Sequence, residues 1–291
     1  MLVTPGGAGR LGAVMFLAIS TASLADLGRA RPLLDQLRTM QARVVVVVRE
    51  AGRDGVDLDG DVAYVYRDRS YGLAAARNEG LAHARSSGWL DTADYVFFPD
   101  DDNVPSDDLE TRVTDAFRQH PEAVGVIGVF AESVTSVDRR RFPASPLGVD
   151  RRLAESIVSS NTIYLSASAV RAIGPFDERF GLGARYGSAE DMDYALRALR
   201  VGPLVYAPDV VALHPVKAGL FDRNYPGNVA VKVKARDYLG AARLLGFGVK
   251  SVQARQLRLR QLLRGLWCGL SCLVTRPKGS WDPRTWEPAG R

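Results

Sequence analysis

The segment RVVVVVRE at 43–50 limits what this chain can become more than any other stretch. Its five consecutive valines are β-branched and favour extended backbone. Successive side chains of a strand face opposite ways, so an unbroken apolar run has to be covered on both sides. Such a strand belongs in a parallel sheet with helices on each face, and the flanking sequence supplies them. Residues 13–20 read as a first strand, followed by a helix in RPLLDQLRTM with Pro32 at its first position and Leu33, Leu34 and Leu37 on one side. Residues 62–66 read as a third strand, 73–86 as an Ala-rich helix, and YVFFP at 95–99 as a fourth strand. Ser106 is placed to cap a helix over 107–120, where Leu109, Val113 and Phe117 recur at helical spacing, and 123–130 is a further strand. This alternation predicts an α/β fold with a Rossmann-like, mostly parallel sheet flanked by helices, whose ligands bind beyond the C-terminal ends of the strands.

After Phe130 the pattern fades into a charged loop expected over 131–156. SSNTIYLS restores a strand. Ser166 should cap a short helix that Gly174 ends, and Ser188 should cap another over 189–199. PLVYAP and DVVALH read as two short strands, and the chain beyond Asn228 reads as helical. The expected organisation is one α/β domain over 11–220 and a basic, helical C-terminal extension over 221–291.

The apolar stretch after Arg10 has some features of a signal peptide, but it is short and has one basic residue before it, so the buried first strand is the reading adopted. No stretch reaches the ~20 apolar residues that a membrane span needs. Cys268 and Cys272 are four apart, a spacing that suits one helix face better than a disulfide framework, and the composition fits a cytoplasmic protein. With three histidines in the chain, a bound metal would rely on oxygen ligands, which points to Mg²⁺ or Mn²⁺. The net charge of +5 is concentrated between Lys232 and Arg264, where Asp237 is the sole acid, and LLRGLWCGLSCLV follows at once. Such a segment suits a solvated helix face, a helix that closes the core, or a peripheral contact with the inner face of the plasma membrane. Without aromatic interleaving or a module signature it does not predict nucleic-acid binding.

Two acidic clusters carry the chemistry. In YVFFPDDDNVP, alternate residues share a face, so Asp100 and Asp102 can converge while Asp101 points elsewhere. Paired carboxylates of this kind hold a hard divalent cation; a solvated polar turn is the plainer alternative. In GSAEDMDYALRALRVG, Glu190 and Asp191 open a helix, whose dipole keeps a carboxylate ionised as a general base must be. Acids are also common in the first turns of ordinary helices. Arg77, in GLAAARNEGL, and His214, in VALHP at a strand end, have plain surface or structural readings when taken singly.

Taken in order, RPLLDQL, VVVVVRE, GLAAARNEGL, YVFFPDDDNVP, GPFDERFGLGARYGSAEDMDYALRALRVG and VVALHP resemble the inverting family 2 glycosyltransferases of the GT-A fold over about 13–215. The resemblance implies transfer of a sugar from a nucleoside-diphosphate donor, a UDP-sugar by family habit, to a saccharide or lipid-linked acceptor in cell-surface polysaccharide synthesis. It implies that Asp102 ligates the divalent cation and that Asp100 binds the donor or joins the metal shell. It implies that Asp191 is the base with Glu190 beside it in the donor site, that Arg77 positions the donor, and that 181–188 shapes the sugar and acceptor pocket. Asp101 is grouped with the donor-binding acids as support for the turn, and His214 falls where some such enzymes place a third metal ligand. The sequence departs from the family after the second strand, where Arg49 and Glu50 stand in place of aspartates. Glu50 is the substitute for the base-contacting acid. Two other readings fit parts of the pattern: a nucleotidyltransferase, hinted at by the Gly-rich segment 5–10, and a catalytically silent nucleotide-sugar-binding module.

Overall fold

The computed structural model describes residues 14–67, 72–133, 135–214 and 220–275. The Gly-rich segment 5–10, residue 13 of the expected first strand and Pro215 lie outside them.

In chain order the elements are β1 (Phe16–Ser23), α1 (Arg31–Thr39), β2 (Arg43–Arg49), β3 (Gly55–Asp59), β4 (Val62–Arg67), α2 (Leu73–Ser86), α3 (Trp89–Thr92), β5 (Tyr95–Phe97), β6 (Val104–Pro105) and α4 (Leu109–Gln119). They continue with β7 (Gly125–Ala131), β8 (Leu147–Val149), α5 (Arg151–Ile157), β9 (Ile163–Ser166), α6 (Ala167–Ile173), α7 (Glu190–Val201), β10 (Leu204–Leu213), α8 (Leu220–Lys234), α9 (Tyr238–Gln253) and α10 (Leu259–Val274). Among the described residues the strands form one ten-stranded sheet in the order β3-β4-β2-β1-β5-β9-β7-β10-β6, with β8 on the flank of β10. The pairs β4–β2, β2–β1, β1–β5 and β7–β10 are parallel, and β9 runs against both its neighbours.

The valine run behaves as its chemistry requires. Val45 and Val47 join Leu17, Ile19 and the α2 residues Ala74 and Leu81 in one core layer. Val44, Val46 and Val48 join Phe16, Ala18, Leu33, Leu37, Leu109 and Val113 in the other, under α1 and α4. Alternate residues of the same strands thus serve both layers, and each buried Val or Leu contributes about 1.5–3 kcal/mol.

Several local expectations change. The 131–156 stretch contains β8 and most of α5, whose Asp150 cap accepts from the Leu153 amide at 2.7 Å. Elements of three and seven residues carry too little periodicity to be read locally. PLVYAP and DVVALH are one strand, β10, whose register against β7 shifts between Tyr206 and Val211. Pro208 sits in that irregularity, where its missing donor disturbs no regular ladder. Helix α4 starts at Leu109 after Asp108, so Ser106 is not its cap.

The C-terminal helices form a close-packed group. The ring of Tyr225 on α8 fits against α10 because position 265 is glycine; a Cβ there would stand 2.7 Å from the Tyr225 ring. Lys234, near the end of α8, pairs with Asp193 of α7 at 2.5 Å and with Asp177 at 2.8 Å. Burial by itself raises the Asp177 carboxyl, but the hydrogen bond from Arg179 and the charge of Lys234 outweigh it and hold the group well below the usual carboxylate range. These pairs fasten the helical group to α7 and the segment before it.

Candidate active site

The C-terminal ends of β1, β2 and β5 open into one cavity of about 740 Å³, a volume that suits a small-molecule ligand. Its walls include Ser23, Arg29, Arg49, Asp100, Asp101, Asp102, Asn161, Glu190, Asp191 and His214, and α8 contributes Phe221, Arg223, Asn224 and Asn228. The helical C-terminal region therefore shares the cavity with the α/β domain.

The three acids lie just beyond β5, with Asp101 and Asp102 in a turn. Asp101 turns to Arg29, whose Nη2 lies 3.2 Å from its Oδ1 and 3.5 Å from Asp102 Oδ2. Burial, opposed by the Arg29 charge, raises the Asp101 pKa. Asp100 and Asp102 face His214 instead. His214 Nε2 is buried 3.1 Å from Asp102 Oδ1 and 3.7 Å from Asp100 Oδ2, without hydrogen-bond geometry to either. One donor atom from each of the three residues lies within 4.8 Å of the others. An octahedral ion with bonds near 2.1 Å places neighbouring donors about 3 Å apart, so two carboxylates and an imidazole at these separations fit a small divalent cation. The strand end is braced by Asn161, which the sequence reading passed over as part of a strand. It lies in a short 3₁₀ turn, accepts from the Asp100 amide at 2.7 Å and donates to Asp100 Oδ2 at 3.1 Å. Its own carbonyl accepts from Asn103 Nδ2 at 3.2 Å.

The second acidic pair is aimed by an unusual backbone. Ala189, immediately before α7, has φ 68° and ψ 20°, the left-handed region that costs a non-glycine residue about 1 kcal/mol or more. Ser188 therefore does not cap α7; its hydroxyl donates to the Asn224 carbonyl at 3.0 Å. The turn brings Glu190 and Asp191 to the cavity at the positive end of the helix. Burial, then the charge of Asp191, pushes Glu190 up to about 7, and burial likewise raises Asp191. Gly181 passes between this pair and α2 at φ 96°; a Cβ there would lie 3.3 Å from both Ala74 N and Glu190 Cδ. Asp193 faces away, towards Arg197 and Lys234, so it is not a partner of Glu190.

Arg77 is 1% exposed and does not line the cavity. It stands behind the wall and joins the two acidic clusters. Its Nη1 lies 3.2 Å from Glu190 Oε1, its Nη2 lies 3.2 Å from Asp100 Oδ1, and Nη2 also donates to Ser160 Oγ at 2.8 Å. The expected site residues Arg77, Asp100, Asp102, Glu190, Asp191 and His214 are thus brought together. Glu50 is set apart: its carboxylate lies 3.2 Å from Arg53 Nη1, and the neighbouring Arg49 lines the cavity. The reading also missed Arg141, a cavity residue whose Nε donates to the Ser156 carbonyl at 2.8 Å and whose guanidinium lies 4.6 Å from the Phe130 ring centre. Burial lowers its pKa and the charge of Asp191 opposes that change. It comes from a stretch with no regular pattern, and only the fold shows which charge it meets.

Residues 42–168 match the family described as Glycosyl transferase family 2. The chain is 29% identical over 208 residues to the pre-mycofactocin glycosyltransferase of two Mycobacterium tuberculosis strains, an alignment that covers 66% of this chain and 41% of the relative. It therefore spans about two fifths of the length of those curated relatives. Among solved structures it is similar to S. aureus TarS 1–349, with TM-score 0.59 at 15% identity, covering 90% of this chain and 81% of that one. The TarS structure in complex with UDP gives TM-score 0.60 over the same shares. The sheet order and these structural neighbours show a GT-A fold, and over residues 42–168 the chain is similar to the family 2 glycosyltransferases.

Proposed function

We propose that this protein moves a sugar from a nucleoside-diphosphate donor to an acceptor hydroxyl with inversion at the anomeric carbon. The observation that carries the proposal is the pairing of two unlike acidic groups in one cavity. Asp100, Asp102 and His214 cluster at one side, Glu190 and Asp191 lie at the other, and Arg77 joins them from behind. The relatives support the class: TarS structures hold UDP and UDP-GlcNAc. A uridine diphosphate carrier is the first choice on that basis.

Asp100, Asp102 and His214 are the residues that would hold a divalent cation, Mn²⁺ or Mg²⁺, and the imidazole favours Mn²⁺. Such a cation, when bound, supplies Lewis-acid stabilisation of the charge that develops on the leaving diphosphate. The chain's own residues do the rest. Asp191 takes the proton of the acceptor hydroxyl as its oxygen bonds to the anomeric carbon. The bond from that carbon to the diphosphate oxygen breaks, and the nucleoside diphosphate leaves with the bonding electrons. The reaction needs no covalent sugar–enzyme intermediate, so the anomeric configuration inverts. Glu190, paired with Arg77, holds the donor sugar, and Arg49 borders the nucleotide end. The acceptor enters past Arg141 and the 181–188 loop, and a glycan or lipid-linked saccharide of the cell surface is the proposed substrate.

A donor panel decides the matter. UDP-, GDP- and dTDP-sugars are incubated with the protein, Mn²⁺ and a mixture of saccharide acceptors, and released nucleoside diphosphate is read out. Release with one donor, dependent on Mn²⁺, is the expected result. Pyrophosphate release would mark a nucleotidyltransferase. Tight nucleotide binding without any release would mark a silent binding module.

A further inference from the structure

The inner face of α10 is fully used. Leu262, Gly265, Cys268, Gly269 and Cys272 are buried against α8 and the loop before α7. The outer face is not used in this way. Leu259, Leu263, Leu266, Trp267, Leu270 and Leu273 are 40–65% exposed. Their spacing of three and four places them in a single stripe along the helix. This is a continuous apolar strip, quite unlike isolated surface leucines.

The charges around the strip choose its occupant. From Tyr238 to Val274 there is no acid, while Arg258, Arg260 and Arg264 lie beside the stripe, and Arg243, Lys250 and Arg255 lie on the preceding helix and turn. Arg258, Arg260 and Arg264 are exposed. A second copy of the chain docked on this face would set arginine against arginine with no carboxylate from the same helices to pair with. An anionic lipid surface meets both halves of the pattern, with acyl chains for the Leu and Trp side chains and phosphate headgroups for the arginines. No helix among the described residues is long and apolar enough to cross a membrane, so the mode is contact in the plane of the surface.

We infer that α10 lies in the interface of an anionic membrane, with its Leu/Trp stripe inserted and its arginines on the headgroups. The position of the helix gives this contact a use. Arg264 Nη2 lies 3.5 Å from the Arg185 carbonyl, in the loop whose Leu182, Gly183, Gly187 and Ser188 line the cavity. Helix α8, which packs on α10, forms another part of the same wall. A lipid-borne acceptor would therefore reach the cavity from the surface on which the protein rests. This last step rests on the proposed transferase reading; the membrane contact itself does not.

Vesicle flotation of the full chain tests the contact without any assay of transfer. The probes are vesicles of phosphatidylcholine alone and of phosphatidylcholine with phosphatidylglycerol. The expected result is flotation with the anionic vesicles, weakening as salt rises, and little with the neutral ones. The double variants Leu263→Gln/Leu270→Gln and Arg258→Glu/Arg260→Glu should each lower the apparent partition coefficient about tenfold or more, with far-ultraviolet circular dichroism and melting temperature kept. Lack of flotation by the parent protein overturns the inference. So does flotation that the leucine variant retains, since another surface would then be responsible. Sedimentation of the parent as a dimer that the leucine substitutions dissolve also overturns it, because a second copy would be the occupant.

Discussion

Asp100 and Asp102 follow a strand, whereas Glu190 and Asp191 begin a helix. The first two lie close together and face an imidazole, a donor set of the kind that suits a cation. The second two are sunk at the positive end of α7 with an arginine behind them, and burial raises both. On the proposed reading the same side-chain chemistry serves two tasks, because the backbone presents it differently. The strand end offers oxygens to a shared point. The helix start offers both carboxylates to the cavity and ties Glu190 to Arg77. The lesson is that a carboxylate's role follows from what lies on its far side.

The largest effect should come from removing the base while keeping its shape. Asp191→Asn is expected to lower turnover by about 10³-fold or more, with nucleoside-diphosphate affinity measured by calorimetry staying within about twofold. An Asn variant that turned over at the parental rate would show that Asp191 is not the base. Next is the link between them. Arg77→Met leaves Glu190 and Asp100 without their common cation and should cost about 3 kcal/mol of stability, read as a lowered denaturant midpoint. Arg77→Lys should recover only part of this, since one ammonium cannot serve Glu190, Asp100 and Ser160 as the planar fork does.

Asp102→Asn should sharpen the comparison from the other side. It is expected to weaken Mn²⁺ binding in the presence of nucleoside diphosphate by about 10–100-fold, measured by paramagnetic relaxation of water, while the fold and Glu190 are untouched. The smallest effect is on pH. Glu190 and Asp191 both titrate above the ordinary carboxylate range, and the base must be ionised to accept a proton. Activity should therefore be lost as pH falls, with the limb of kcat/KM displaced upward from the ordinary carboxylate value near 4. A limb at the ordinary carboxylate value would place the base outside this buried pair.

The sheet was legible because its strands are apolar runs and its helices carry one apolar side; both signals are local. The acids were legible because they sit at strand and helix ends, where position along the chain predicts direction. What the sequence hid depends on distance. Arg77 meets Glu190 across 113 residues and Asn161 meets Asp100 across 61, so no window of sequence contains either pair. Ser188 looked like a cap because helices favour serine there, yet Ala189 takes a backbone conformation that propensity disfavours and turns the serine towards α8. The role of α8 in the cavity wall was likewise out of reach, since a helix's own sequence does not say which wall it completes.

One consequence of the buried Arg77 concerns how such a protein could be altered. The separation between Asp100 and Glu190 is held from behind the cavity wall by a side chain that does not line the cavity. The rim is built from other parts: the stretch around Arg141, the 181–188 loop and α8. On the proposed reading, reaction and recognition therefore have different supports. Exchanging rim segments would change which acceptor is admitted while leaving the gauge between the two acidic ends at its original setting.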